Sequence, residues 1–225
     1  MRNDVSVVIT SGGNGSRFGR NKMLALIKDK PVIVYAVENF RRSKSIDEII
    51  VIVKKEDKKM YQKIFNKEKL KVKLISAAHQ RIDSVYLGVK TAKGKYVITH
   101  DGNRPLTPIW LIDKIVEEVK KYKAVISAVA PITTIKYSNN QFIKKSLSRN
   151  KTWISQTPHG FEKKLFIEAF EKVTKNKKFI PTDDSEIITK FGKNVRIVPG
   201  DEINIKITFP HDLFVAEQLL KTVKQ

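Results

Sequence analysis

The sequence predicts an α/β protein built on a mostly parallel sheet with helices on both faces. Three observations carry this expectation: β-rich and helical patterns alternate along the chain, several strand-like runs are apolar throughout, and the first run ends in a cluster of glycines. An apolar run without alternation belongs to a strand covered on both sides, as a parallel sheet requires. The 225 residues suffice for a domain of this kind with a substantial core.

Residues 5–10 form a short β-rich run that stops at glycines. Pro31 opens a helical pattern whose Val32, Ile33, Ala36, Val37 and Phe40 share one side, and proline suits a first helical turn. A continuous apolar strand over 49–53 is followed by a polar helix over 57–65, a strand over 71–75 and a helix from Asp83. A strand over 96–99 precedes a helix over 108–122, where Leu111, Ile112, Ile115, Val116 and Val119 fall at helical spacing, and then a strand over 124–130. The alternation breaks after Pro131. Residues 132–154 hold short β-like pieces around a Ser138-Asn139-Asn140 turn with little apolar mass, so this stretch is expected to project as an arm that needs a partner. Helices over 163–173 and 182–191, strands over 195–198 and 203–207, and a helix over 211–221 complete the chain. No repeat, low-complexity tract or linker interrupts it, so residues 1–225 are read as a single domain with an inserted arm.

Hydrophobic content of 41% and charged content of 30% are those of an ordinary globular chain. No apolar run approaches the roughly 20 residues that span a bilayer, and glycines rather than a cleavage site follow the first run, so neither a membrane span nor a secretory leader is expected. The absence of cysteine excludes a disulfide framework and a thiolate metal site, and fits the cytoplasm. A net charge of +21 raises nucleic-acid binding as a function class. Lysine pairs such as Lys54-Lys55, Lys58-Lys59, Lys120-Lys121 and Lys177-Lys178 flank apolar stripes, however, and read as solvated faces. The expectation is incidental polyanion affinity without a specific nucleic-acid partner. Phosphorylated substrates would be drawn in by such a field.

The candidate chemistry begins at Ser11, Gly12, Gly13, Asn14 and Gly15, directly after the first strand. Bare backbone amides there approach phosphates closely. The spacing fits neither the dinucleotide fingerprint nor the P-loop, and it adds two cations, Arg17 and Lys22, just downstream. Arg81-Ile82-Asp83-Ser84-Val85 stands where a strand turns into a helix, and Asp83 or Ser84 there could equally cap that helix. His100-Asp101-Gly102-Asn103-Arg104-Pro105 follows a strand, and its Asp101 and Arg104 are either a grip for hydroxyls and a phosphate or a structural ion pair. Lys206 is out of place in an apolar alternating run unless it reaches a site. The four histidines lack ligand spacing, and no Ser-His-Asp or Cys-His arrangement suggests covalent catalysis.

Taken in order, the glycine-rich loop with Arg17 and Lys22, RIDSV at 81–85, HDGNRP at 100–105, TIK at 134–136, Arg149, QTPHGF at 156–161, TDD at 182–184 and NIKIT at 204–208 span nearly the whole chain. This set resembles the bacterial 2-C-methyl-D-erythritol 4-phosphate cytidylyltransferases and their ribitol-5-phosphate relatives. The resemblance implies a three-layer nucleotidyltransferase (Rossmann-like) fold and transfer of CMP from CTP to a small polyol phosphate, with Mg²⁺ carried mainly on the CTP phosphates. It implies that Ser11 to Gly15, Ala78, His79, Arg81 and Ser84 hold CTP, with Ser84 and backbone groups reading the base. Arg17 and Lys22 would stabilise charge at the α-phosphate. Arg149 and Lys206 would position the polyol phosphate, aided by Asp101, Arg104, Thr134 and Thr157. The arm would clasp a second subunit, so that each site of a homodimer draws residues from both chains.

The chain departs from the family at several of these places. Asn21 stands for a usual proline, Ala77-Ala78 for a glycine pair, Gly102-Asn103 for small apolar residues, and Thr133 and Ser148 for acidic residues. RIDSV and QTPHGF favour methylerythritol phosphate as acceptor. A pentitol phosphate used for wall or capsule polymers is the alternative enzyme reading, and a non-catalytic CTP- or polyanion-binding module is the alternative outside enzymes.

Overall fold

In a computed structural model, which describes residues 4–12, 18–19, 21–175 and 179–222, the alternating pattern becomes a seven-stranded sheet between two helical layers. β1 (Val5–Thr10) leads through a short hairpin, β2 (Leu26–Ile27) and β3 (Lys30–Pro31), into α1 (Val32–Arg42) and β4 (Glu48–Val53). α2 (Lys58–Lys67), β5 (Lys73–Ser76), α3 (Arg81–Thr91) and β6 (Tyr96–Asp101) follow. α4 (Ile109–Tyr122) and β7 (Ala124–Val129) precede a separate hairpin of β8 (Lys136–Asn139) and β9 (Phe142–Ser146). β10 (Ile154–Glu162), α5 (Lys163–Val173), α6 (Asp184–Lys190), β11 (Arg196–Pro199) and α7 (Asp212–Thr222) close the order.

The sheet runs β11-β7-β10-β6-β1-β4-β5, and every pairing is parallel except those of β10. The period of two along each strand sorts the core into two faces. Val5, Val7, Ile9, Ile49, Val51 and Val53 meet α1, α2 and α4, whereas Val8, Ile50, Ile52, Val97 and Phe161 meet α3, α5 and α6. A smaller cluster joins α7 to the β2–β3 hairpin through Ile27, Val32, Ile207 and Ala216. Among the described residues no helix is long and apolar enough to cross a membrane.

Several expectations need correction. The 203–207 run is not a strand: the Asn204 N–H turns back to the Asp201 carbonyl, and the Ile207 N–H donates to the Asn103 carbonyl at 2.9 Å. With those groups committed, the segment ties itself to residues 103–107 instead of extending a ladder. Conversely, 154–162 is a long strand that Pro158 and Gly160 hide in the sequence. A register shift between Gln156 and His159 takes the proline out of the ladder, as a residue without an N–H requires. His100 and Asp101 belong to β6 itself rather than to the turn after it. In the arm, Asn140 and Gln141 form the turn, both with positive φ (48° and 69°), one residue later than expected.

Candidate functional site

β1 and β6 are neighbours whose onward connections run toward opposite edges of the sheet, β1 through α1 to β4 and β6 through α4 to β7. An open α/β sheet has its crevice at such a switch point, outside the carboxyl ends of the strands. A cleft of about 280 Å³ lies there, lined by Thr10, Gly12, Lys22, Met23, Ile52, Ala77, Ala78, His79, Gln80, Arg81, Ser84, Asp101, Asn103 and Lys206. Gly12, Lys22, Ala78, His79, Arg81, Ser84, Asp101 and Lys206 of the expected residues are therefore brought together.

The loop after β5 is held from beneath. The Ser84 hydroxyl donates to the Gln80 carbonyl at 2.9 Å and accepts the Ala78 N–H at 2.9 Å. This keeps Ala77 and Ala78 against the bare backbone of Gly12, where an added Cβ would stand 3.0 Å from that of Ala77. Ser84 thus lines the cleft and shapes its wall through backbone bonds, whereas the N-cap of α3 is Gln80, with no side-chain cap bond. Lys22 enters from a turn that Asn21 closes by accepting the Met23 N–H at 3.1 Å. That side-chain bond supplies locally what proline supplies elsewhere.

Asp101 is the electrostatic centre. Its Oδ1 accepts from Arg81 Nη2 at 3.0 Å and its Oδ2 from Lys206 Nζ at 2.7 Å, with Arg104 Nε 3.9 Å away. Burial alone would raise this carboxyl, but Arg81, Lys206 and Arg104 together hold it well below the usual carboxylate range. Asp184, foremost, keeps the Arg81 guanidinium above its ordinary value against the opposing effect of burial. The described lining residues include three cations, Lys22, Arg81 and Lys206, and one carboxylate, an excess of positive charge suited to phosphorylated ligands.

Other expected residues lie elsewhere. Ser11 turns its hydroxyl to Tyr61 at 2.7 Å, away from the cleft lining. Arg104 and Thr157 are buried behind the cleft. Arg104 Nη1 donates to the Asn204 carbonyl at 2.6 Å, and Thr157 Oγ1 accepts the Asp101 N–H at 3.1 Å. Arg149 and Thr134 meet each other on the exposed arm at 3.3 Å and line no part of the cleft within this chain. Gly13, Asn14, Gly15 and Arg17 lie outside the described residues.

Three further participants lie within the motifs HDGNRP, TDD and NIKIT, but the sequence assigned them no role. Asn204, fully buried, donates to the Thr157 carbonyl at 2.8 Å and accepts from Thr107, and so clips the segment bearing Lys206 onto the turn after β6. Asn103 accepts and donates through Ile207, with Nδ2 2.5 Å from the Ile207 carbonyl. Asp184 holds Arg81 at 2.6 Å. The sequence signals for Asn204 are its polar side chain in an alternating apolar run and its place at the head of NIKIT. None singles out Asp184 from its neighbour Asp183, which caps α6 by accepting the Ser185 and Glu186 N–H groups.

The family model described as 2-C-methyl-D-erythritol 4-phosphate cytidylyltransferase matches residues 5–222. The chain is similar to curated proteins of that name from Clostridioides difficile (36% identical, covering 98% of this chain and 95% of that one) and Clostridium beijerinckii (36% identical, 97% and 99%). Among solved structures it resembles 4-diphosphocytidyl-2C-methyl-D-erythritol synthase of Anaerococcus prevotii, with a TM-score of 0.85 at 29% identity and 96% of each chain covered. The fold is also shared with 2-C-methyl-D-erythritol 4-phosphate cytidylyltransferase of Thermus thermophilus, with a TM-score of 0.79 at 23% identity over 96% of this chain and 98% of that one.

Proposed function

The chain belongs to the 2-C-methyl-D-erythritol 4-phosphate cytidylyltransferase family, and we propose that it transfers CMP from CTP to 2-C-methyl-D-erythritol 4-phosphate and releases pyrophosphate, a step of isoprenoid precursor synthesis. The observation that carries this reading is the cationic switch-point cleft, where Lys22 and Lys206 line the wall beside a backbone-lined loop and Arg81 and Lys206 grip Asp101.

A phosphate oxygen of the acceptor attacks the α-phosphorus of CTP. The new P–O bond forms as the α–β bridge breaks, and the electron pair leaves with pyrophosphate. The nucleophile is already an anion, so no general base is required. The barrier lies in uniting two polyanions and in the charge of the transition state, which fixed cations offset. Gly12 and the 77–80 loop form the nucleotide wall, and Gly13, Asn14 and Gly15 contribute to CTP binding by the family resemblance. Arg17 and Lys22 act on the α-phosphate, and Lys206 and Asp101 hold the acceptor. Mg²⁺ enters on the triphosphate as part of the substrate. Asp101, the carboxylate among the described lining residues, is already engaged by Arg81 and Lys206, so it is poorly suited to holding a resident metal.

The arm supports a homodimer. Every residue of β8 and β9 is exposed, and Ile132, Tyr137, Phe142, Ile143, Trp153 and Ile154 present large apolar side chains to solvent. A second copy would bury them and bring Arg149 and Thr134 to its own cleft. The cysteine-free composition suits a cytoplasmic setting. Pyrophosphate release measured with CTP, ATP, GTP and UTP against a panel of polyol phosphates tests the reading. CTP with methylerythritol phosphate is expected to give the highest catalytic efficiency. Equal turnover with the other nucleotides, or a clear preference for ribitol 5-phosphate, would contradict it.

A further inference from the structure

Asp184 lies outside the cleft lining yet anchors its wall. We propose that it is a positioning residue for the acceptor: through Arg81 it fixes the Asp101 carboxylate that holds the acceptor's hydroxyl groups. The inference rests on the reading of the cleft given above.

Asp184 has no exposed surface. One of its oxygens accepts from Arg81 Nη1 at 2.6 Å and the other from Thr99 Oγ1 at 2.6 Å, with the buried His159 ring 3.9 Å from the second. A carboxylate this deep persists where it is paired and hydrogen-bonded, and here it is both. Its backbone is fixed as well, because Asp183 caps the helix that Asp184 opens.

The guanidinium is a rigid planar fork, so fixing one branch directs the other. Arg81 Nη1 belongs to Asp184 and Nη2 to Asp101 Oδ1, leaving Asp101 Oδ2 for Lys206. The order Asp184, Arg81, Asp101, Lys206 therefore runs from the buried face of the sheet into the cleft. Arg81 is 40% exposed along its side chain, and its two carboxylates hold the guanidinium in place. Asp184 also cancels its charge. Arg81 thereby serves as a clamp on Asp101 rather than as one more cation for the triphosphate.

Neutralising Asp184 has two separable effects. The Asp101 carboxylate loses its fixed orientation, which weakens the acceptor. The cleft becomes more positive by one charge, which favours the nucleotide or leaves it unaffected. A residue needed only for folding would weaken both substrates together.

The test is steady-state kinetics of Asp184→Asn, Arg81→Ala and the double variant, using the acceptor that the wild type turns over fastest. In Asp184→Asn the KM for the acceptor is expected to rise about tenfold or more, the loss typical of one hydrogen bond to a charged group. The KM for CTP is expected to stay level or fall. In the Arg81→Ala background the same substitution should add nothing to the acceptor KM. Parallel increases in both KM values, no change in either, or full additivity with Arg81→Ala would overturn the proposal. If Asp184→Asn does not fold, Thr99→Val removes one of the bonds that hold the carboxylate while retaining its charge. The acceptor KM should then rise several-fold at constant CTP KM, and an unchanged acceptor KM would count against the idea. A wild type that prefers another acceptor corrects the substrate assignment and leaves this test intact, whereas no turnover with any acceptor overturns both.

Discussion

His100 ends in the floor of the site, its ring between Thr157 Oγ1 at 3.0 Å and Thr107 Oγ1 at 3.3 Å. Burial pushes its pKa down from 6.5 to about 3, and burial lowers His159 as well. Both rings are therefore neutral supports and not proton-transfer groups at pH 7. The unfolded chain takes up protons below about pH 6.5 that the native state refuses until about pH 3, so stability is complete above that window and is lost as pH falls through it. Thermal midpoints should hold from pH 8 to 7 and decline from about pH 6.5 to 4, with a shallower slope in His100→Asn. A flat profile down to pH 4 would contradict this. At the phosphate end, Lys22→Ala and Arg17→Ala should each lower turnover by ~10²-fold with a smaller effect on CTP affinity, measured by single-turnover kinetics and CTP titration. Gly102 shows how one departure from the family is accommodated. A Cβ there would lie 2.5 Å from Ile33 Cδ1 and 2.9 Å from the Thr10 carbonyl. Gly102→Ala should cost about 1–3 kcal/mol in denaturant unfolding, and Ile33→Val should recover part of that loss in the double variant.

Among the elements, the arm is the one whose sequence and structure both ask for a partner, because its hairpin has no second layer. Light scattering at micromolar concentration should give a dimer, and Phe142→Ser with Ile143→Ser should shift it toward monomer with loss of activity. A fully active wild-type monomer would remove the shared site. Legibility in sequence followed burial. β1 and α5 coincide with their expected bounds because apolar periodicity has one clear solution there. β10 escaped because a bulge accommodates its proline. The 203–207 segment deceived because period-two alternation records which side chains are buried, not where the backbone bonds go. The cleft's loops were visible as glycines and unexpected cations. The roles of Asp184 and Asn204 within TDD and NIKIT were not, since their partners, from Arg81 and Thr99 to Thr107 and Thr157, are distant in the chain.

Over the whole molecule, a net charge of +21 surrounds a cleft that receives two polyanions. KM for both substrates should rise several-fold between roughly 0.05 and 0.3 M salt, with kcat changing less, because salt screens the attraction that gathers anions without altering contacts inside the cleft. KM values indifferent to salt would make the lysine surface irrelevant to catalysis. The fold supplies the remainder: parallel strands end together, the switch point opens a crevice, and buried polar ties from Asn204 and Asp184 hold Lys206 and Arg81 at its walls. Attack by the acceptor's phosphate is tested most directly by ³¹P NMR of the purified protein with CTP, Mg²⁺ and 2-C-methyl-D-erythritol 4-phosphate. A pair of coupled diphosphate resonances should grow in step with pyrophosphate as the acceptor's monophosphate signal disappears. CTP bound without pyrophosphate release, or pyrophosphate released while the monophosphate signal persists, would contradict it.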